Sequence, residues 1–66
     1  MNKIQRIRMN NITKEYRNLL AMIGDREVIA DAIRNNRGQW EEAVFEIARE
    51  YEFNRQDMEE VFGRYF

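Results

Sequence analysis

The sequence predicts an all-α protein, a compact orthogonal bundle of about four short helices with a basic N-terminal arm over residues 1–10. Three observations favour this fold class. Apolar residues recur at helical spacing in four stretches, and the clearest period lies in Trp40–Phe53. Capping and turn-forming residues separate these stretches, and no stretch after residue 10 alternates as a strand would. A length of 66 residues allows a single domain, expected over residues 11–66.

The first helix is expected to begin at a cap supplied by Asn10, Asn11 or Thr13 and to end at Gly24. Its apolar face consists of Ile12, Tyr16, Leu19, Leu20 and Ile23. Residues 1–10 lack a clean period. They are interpreted as a loosely ordered, flexible arm or, alternatively, as an electrostatic arm for phosphates or an acidic partner.

The second helix is expected to start at its cap Asp25 and to stop in the turn-forming residues 35–38. Its apolar residues are Val28, Ile29, Ala32 and Ile33. The third helix should begin near Gln39. Glu41 and Glu42 would then lie in its first turn, where acidic residues suit the helix dipole.

The fourth helix has the strongest start signal. Asn54 is the expected cap, and Asp57 three residues later resembles the partner in a capping box. Phe53 and Met58 occupy the two positions of a hydrophobic staple. Gly63 is expected to weaken the last turn of this helix. The apolar face is made by Met58, Val61, Phe62 and Tyr65.

The third helix presents three kinds of residue around its axis. Its apolar stripe consists of Trp40, Val44, Ile47, Ala48 and Tyr51, and an acidic ridge consists of Glu42, Glu46 and Glu50. Trp40 is expected in the core, where its indole N–H needs a hydrogen-bond acceptor.

Phe45 lies roughly 120° from the stripe centre, near Arg49. Phe45 either packs against a neighbouring helix or is an exposed anchor for a partner. The ridge is either a solvated face or a surface for a basic partner.

Charge is distributed unevenly along the chain. Residues 1–17 carry the cations Lys3, Arg6, Arg8, Lys14 and Arg17 and one acid, 5 − 1 = +4, whereas residues 18–66 carry 6 − 11 = −5. Nucleic acid could therefore engage only the first 17 residues, where Tyr16 is available for stacking. The third helix makes a poor DNA-recognition helix, because residues 40–52 hold five glutamates and one arginine.

The composition argues against several chemistries. The chain has no serine, cysteine or histidine and a single threonine, so common nucleophile–base pairs cannot form and an enzyme is not expected. No cofactor motif or metal site of cysteine or histidine is expected. No apolar run approaches the ~20 residues that span a bilayer, and a cytoplasmic location is the default expectation.

The order Leu20, Asp25, Val28–Ile33, and then EEAVFEIAREYEFNRQDMEEVF, resembles the Nif-eleven-type family of small proteins over roughly residues 16–62. The matching positions are Asp25, Ile47-Ala48, Phe53 and Met58-Glu59. Two positions depart from the family pattern, because Glu52 stands where glycine is expected and Asn54 replaces a serine or threonine cap. The resemblance implies a stand-alone member, since the residues after Val61 lack the Gly-Gly site and modifiable residues of a precursor peptide. It supplies no established activity.

A second resemblance is to ubiquitin-associated domains, through Met22-Ile23-Gly24 and the residues Ile33–Val44. That family has an aromatic residue after the glycine of its first loop, where this chain has Asp25. A fourth helix also has no place in that fold.

The sequence therefore predicts a non-enzymatic protein-interaction module, an adaptor or inhibitor that docks on a larger protein. The expected partner-binding residues are Phe45, Glu42, Glu46, Glu50 and Arg49. Small phage-encoded proteins offer an analogy of size and composition. One alternative is a nucleic-acid accessory protein that uses the basic residues of the first 17 positions. The other is a self-assembling structural protein that buries Phe45, Tyr65 and Phe66 between subunits.

Overall fold

The computed structural model describes residues 3–63, with side chains from residue 11 onward. Four helices follow one another: α1 (Lys3–Ile23), α2 (Arg26–Asn35), α3 (Trp40–Glu50) and α4 (Arg55–Phe62). No strand occurs within this part of the chain. α2 packs on α3 and α1 packs on α4. The predicted all-α class is confirmed, and the molecule measures 36 × 25 × 18 Å.

The core lies where the four helices meet. Leu19 of α1 and Ile29 of α2 are fully buried there, as are Val44 and Ile47 of α3 and Val61 of α4. The remaining buried apolar residues are Ala32, Ala43, Met58 and Phe62. Each helix is too short or too polar to be stable alone, so burial of these apolar faces holds the domain together.

The start of α1 differs from the sequence prediction. The helix begins at Lys3, so the expected caps Asn10, Asn11 and Thr13 lie within it. No glycine or proline interrupts residues 3–23. Asparagine lowers helix stability by less than about 1 kcal/mol, which does not suffice to end a helix. Residues 3–10 therefore continue α1 as helical backbone.

Local chemistry sets the other helix boundaries. The side chain of Asp25 accepts hydrogen bonds from the backbone N–H groups of Glu27 and Val28, which confirms it as the cap of α2. Asn54 and Asp57 form the predicted capping box at the start of α4, with N–O distances of 2.8 and 3.0 Å. Gly24 ends α1 in the predicted left-handed conformation.

Gly63 was predicted inside the last turn of α4, and that prediction is wrong. α4 ends at Phe62, and Gly63 follows it with a φ of 66°, as a left-handed residue that closes the helix. Glycine adopts this conformation without steric penalty, so Gly63 terminates the helix rather than weakening it. Tyr65 of the predicted apolar face lies outside the described residues.

The described helices include none long and apolar enough to cross a membrane.

Candidate docking groove

An open groove of about 380 Å³ lies where α3 ends and α4 begins. Apolar side chains line most of it, and two charged side chains complete the lining. The lining residues are Phe45, Ala48, Arg49, Glu52, Phe53 and Met58. The groove therefore combines apolar surface with one carboxylate and one guanidinium.

Phe45 belongs to both the protein interior and the groove. Its side chain is half-buried, and its ring lies 6.2 Å from the ring of Phe62 at an angle of 53°. The predicted packing of Phe45 against a neighbouring helix is therefore present, since its ring contacts Phe62 of α4, and Phe45 also lines the groove. Its role as a partner anchor stays a prediction.

Backbone geometry at the end of α3 shapes the groove floor. The N–H of Phe53 donates to the carbonyl of Ala48 at 2.8 Å, and the N–H of Glu52 donates to that of Arg49 at 3.4 Å. These two bonds form a Schellman motif, which reverses the chain and directs it into α4. Phe53 is thereby placed beside Ala48, and both side chains line the groove.

Glu52 occupies a conformation that favours glycine. Its φ is 54°, in the left-handed region, because it fills the position of the Schellman motif that glycine usually takes. A side chain in this region costs roughly 1 kcal/mol relative to glycine. The chain thus accepts backbone strain and gains a carboxylate in the groove. Strained residues of this kind cluster at functional sites.

Arg49 is exposed on α3 and lines the groove next to Phe45. Its role in partner binding stays a prediction. The acidic ridge does not line the groove. Glu42, Glu46 and Glu50 lie about 60° to 140° around the α3 axis from Phe45. The structure therefore brings Phe45 and Arg49 together and leaves the ridge on an adjacent face.

The ridge is not uniformly solvated. Glu42 and Glu50 are exposed, whereas Glu46 is half-buried. The side-chain amide of Asn36 donates to Oε1 of Glu46 at 3.4 Å and also donates to the carbonyl of Ala32 at 2.7 Å. Glu46 consequently helps to fix the end of α2, and the freely accessible part of the ridge consists of Glu42 and Glu50.

The surface around the groove is strongly acidic. Residues 39–63, which form α3, α4 and their connection, carry two arginines and eight acids, 2 − 8 = −6. One of the arginines, Arg55, lies 3.9 Å from the carboxylate of Glu59 on the same helix. A partner that enters the groove therefore approaches a negative surface, which favours basic ligands.

Trp40 lies on the other side of α3, away from the groove. It is half-buried and packs against Tyr16 with ring centroids 6.2 Å apart. Its indole N–H donates a hydrogen bond to Oε2 of Glu15. This carboxylate is the acceptor that the indole was expected to need. Tyr16 was expected to be available for base stacking. The ring is half-buried in its contact with Trp40, and its availability for stacking stays a prediction.

The basic residues predicted as an alternative binding site lie on α1. Lys14 and Arg17 are exposed, and Lys3, Arg6 and Arg8 belong to the helical backbone at its start. Tyr65 and Phe66, predicted to contribute to self-assembly, lie outside the described residues. Residues 3–63 include no cluster of three or more side chains suited to hold a metal ion.

Four of the groove-lining residues were not predicted from the sequence to belong to a binding site. They are Ala48, Glu52, Phe53 and Met58. Ala48 was assigned to the core stripe, and Phe53 and Met58 to a staple that only joins two helices. Tyr51, also assigned to the stripe, is 44% exposed because α3 ends at Glu50 and the helical period ends with it. The signal for Glu52 was present in the sequence, since it fills a helix-ending position where glycine is usual.

Comparison of the chain with protein-family models, characterised proteins and solved structures finds no match. The resemblances to the Nif-eleven-type and ubiquitin-associated families therefore stay predictions. The geometry at position 52 gives a physical reason for the glycine in the first of these patterns, because the position is left-handed here.

Proposed function

We propose that this protein is a non-enzymatic interaction module whose α3–α4 groove binds a basic amphipathic helix of a larger protein. The observation that supports the proposal is the groove itself, in which half-buried aromatic and aliphatic side chains stand beside Arg49 and Glu52. An amphipathic helix inserts one or two apolar side chains into grooves of this kind.

Charge complementarity selects the partner. The net charge of −6 over residues 39–63 repels acidic segments and attracts lysine- and arginine-rich ones. Glu52 is the carboxylate within the groove, and the exposed residues Glu42 and Glu50 lie on the adjacent face. A basic helix seated on Phe45 can therefore pair its cations with Glu52 and, further out, with Glu42, which lies about 60° around α3 from Phe45.

The strained backbone at Glu52 supports the same function. Glycine would relieve the strain but would remove the carboxylate from the groove. A charged side chain at such a position is explained if that side chain contacts a ligand.

The test is a selection of displayed helical peptides against the intact protein. We expect enriched peptides to carry apolar residues at spacings of three or four and several lysines or arginines on the flanking positions. Ala48→Leu fills the groove and should abolish binding of these peptides. Ala30→Leu is the matched control, because Ala30 is exposed on α2 and does not line the groove.

A second pair of variants tests the charge. Glu52→Gln removes the groove carboxylate, whereas Glu50→Gln removes an exposed carboxylate about 140° around α3 from Phe45. Glu52→Gln should weaken binding of the selected peptides more than Glu50→Gln does. Enrichment of acidic or uncharged peptides, or equal binding by the Ala48→Leu and Ala30→Leu variants, would contradict the proposal.

A further inference from the structure

The connection between α3 and α4 differs in composition from the two other connections between the described helices. Gly24 follows α1 and Gly38 lies between α2 and α3, whereas residues 51–54 include neither glycine nor proline. Glu52 nevertheless takes a left-handed φ of 54° in this connection. Every residue of the α3–α4 connection is therefore one that an uninterrupted helix accepts, and Glu52 would be less strained in a right-handed helix than it is here.

The apolar stripe of α3 continues through this connection into α4. At about 100° per residue, positions 40, 44, 47, 51, 54, 58 and 61 would fall within about 100° of one another on one continuous helix. Their spacing alternates between four and three, which is the pattern of a helix that packs along a single seam. The residues at these positions are Trp40, Val44, Ile47, Tyr51, Asn54, Met58 and Val61. With residues 51–54 helical, α3 and α4 would form one fused helix over residues 40–62, about 35 Å long.

Tyr51 is an apolar member of this stripe that the monomer leaves open to solvent. It is 44% exposed, whereas Ile47, one turn before it, and Met58, two turns after it, are buried. On the fused helix Tyr51 would lie in line between these two residues. The exposed tyrosine therefore marks the point at which the fused helix has apolar surface left to cover.

We propose that two copies of this chain form a dimer by exchanging α4. In each copy α3 and α4 fuse, and α4 leaves its own α1 and packs on α1 of the second copy. Each copy gives and receives the same helix, so the assembly closes with twofold symmetry. The Tyr51 side chains of the two copies cover each other where the fused helices cross. The inference does not depend on the function proposed for the groove.

The contacts that hold α4 in the monomer are remade between the copies. They include the packing of Phe62 on Phe45 and the hydrogen bond from the side-chain amide of Asn18 to the carbonyl of Val61, at 3.3 Å. Because these contacts are the same in both forms, the balance between monomer and dimer depends on residues 51–54 and on the protein concentration.

Two residues of the connection act on this balance in opposite directions. Fusion of the helices releases the left-handed strain at Glu52, which favours exchange. Fusion also breaks the capping box between Asn54 and Asp57, which favours the monomer. Substitutions at positions 52 and 54 should therefore shift the dissociation constant of the dimer in directions that the geometry fixes.

The experiment measures the mass of the intact protein by size-exclusion chromatography with light scattering, over a series of concentrations up to the millimolar range. Asn54→Ala removes the cap and supplies a good helix former, so the dissociation constant should fall by about 100-fold. Asn54→Gly is the matched control, because glycine keeps most of the cap but weakens a continuous helix, and it should raise the dissociation constant. Helical circular dichroism verifies that each variant is folded.

A variant at position 52 gives an independent test. Glu52→Gly relieves the strain in the monomer and weakens the fused helix, so it should raise the dissociation constant by about 100-fold. Glu50→Gly, which lies within the helix in both forms, should leave the dissociation constant nearly unchanged.

Nuclear magnetic resonance distinguishes exchange from simple contact between two surfaces. In the dimer the ¹³Cα chemical shifts of residues 51–54 should take helical values. In a dimer of one labelled and one unlabelled chain, nuclear Overhauser effects between Asn18 and Val61 should join different chains. Separated monomer and dimer should also interconvert slowly, because α4 must leave one α1 before it reaches the other.

Four results would overturn the proposal. The first is a monomeric mass for both the unmodified protein and Asn54→Ala at millimolar concentration. The second is equal dimerisation of Asn54→Ala and Asn54→Gly. The third is a dimer in which Glu52 keeps its left-handed conformation. The fourth is a dimer in which the Asn18–Val61 contact stays within one chain, since either of these last two dimers would be a surface contact between unchanged monomers.

Discussion

The indole N–H of Trp40 donates a hydrogen bond to Oε2 of Glu15 across 3.1 Å and so joins α3 to α1. Glu15 is only 8% exposed. The two residues lie 25 positions apart in sequence, and α1 otherwise packs mainly on α4. This hydrogen bond therefore ties the α1–α4 pair to the α2–α3 pair, and the tyrosine next to Glu15 packs on the same indole.

Removal of the donor should destabilise the protein. Trp40→Phe leaves a buried carboxylate without this hydrogen bond, and we expect a loss of about 2 kcal/mol in the free energy of unfolding. Glu15→Gln keeps an acceptor and should cost about 1 kcal/mol. Urea unfolding followed by helical circular dichroism measures both. Equal stability of Trp40→Phe and the unmodified protein would show that the bond contributes nothing.

The left-handed conformation of Glu52 predicts a substitution that raises the stability of the protein. Glu52→Gly relieves the left-handed strain and should stabilise the protein by about 0.5–1 kcal/mol. Glu50→Gly, within the last turn of α3, should destabilise it by a similar amount. The two variants lose the same side chain, so their difference isolates the backbone effect. Destabilisation by both would mean that position 52 carries no strain.

The capping box predicts a stability loss that is shared between two residues. Asn54→Ala should cost about 1 kcal/mol, because an N–H at the start of α4 loses its acceptor. Asp57→Ala removes the reciprocal bond to the N–H of Asn54. The double variant should cost less than the sum of the single variants if the two bonds support each other. Strict additivity in urea unfolding would refute that coupling.

The role of Phe45 is tested with two substitutions, because its ring contributes to stability and also lines the groove. Phe45→Ala removes the packing against Phe62 and should destabilise the domain by about 2 kcal/mol. A domain of this size has only about 3–5 kcal/mol in total, so the variant could lose partner binding through unfolding alone. Phe45→Leu keeps much of the apolar volume and should retain the helical circular dichroism of the unmodified protein. Unchanged stability of Phe45→Ala would show that the ring makes no packing contribution.

Several helix ends that depend on residues close together in the sequence were predicted correctly. Asp25, Gly24 and Asn54 set helix ends through contacts within three or four positions, and each was recognised. The start of α1 was placed too late, because Asn10 and Asn11 act as caps only where the preceding chain is not helical. No glycine or proline occurs between Lys3 and Asn11 to interrupt this helix.

The groove could not be predicted in the same way. It is formed by residues on two helices and their connection, and its opening depends on the angle at which the Schellman motif at Glu52 directs the chain. Helical periodicity placed Phe45 off the core stripe but could not show that Phe62 lies beside it. The contact between Asn36 and Glu46 likewise depends on how α2 meets α3.

The central claim is that the α3–α4 groove holds a basic amphipathic helix. The most direct measurement is a map of backbone amide chemical shifts in ¹⁵N-labelled protein titrated with the tightest peptide from the selection. We predict that the largest changes fall on Phe45, Arg49, Glu52, Phe53 and Met58 and disappear in the Ala48→Leu variant. Changes concentrated on α1 or α2, or a map that Ala48→Leu leaves unaltered, would contradict the account.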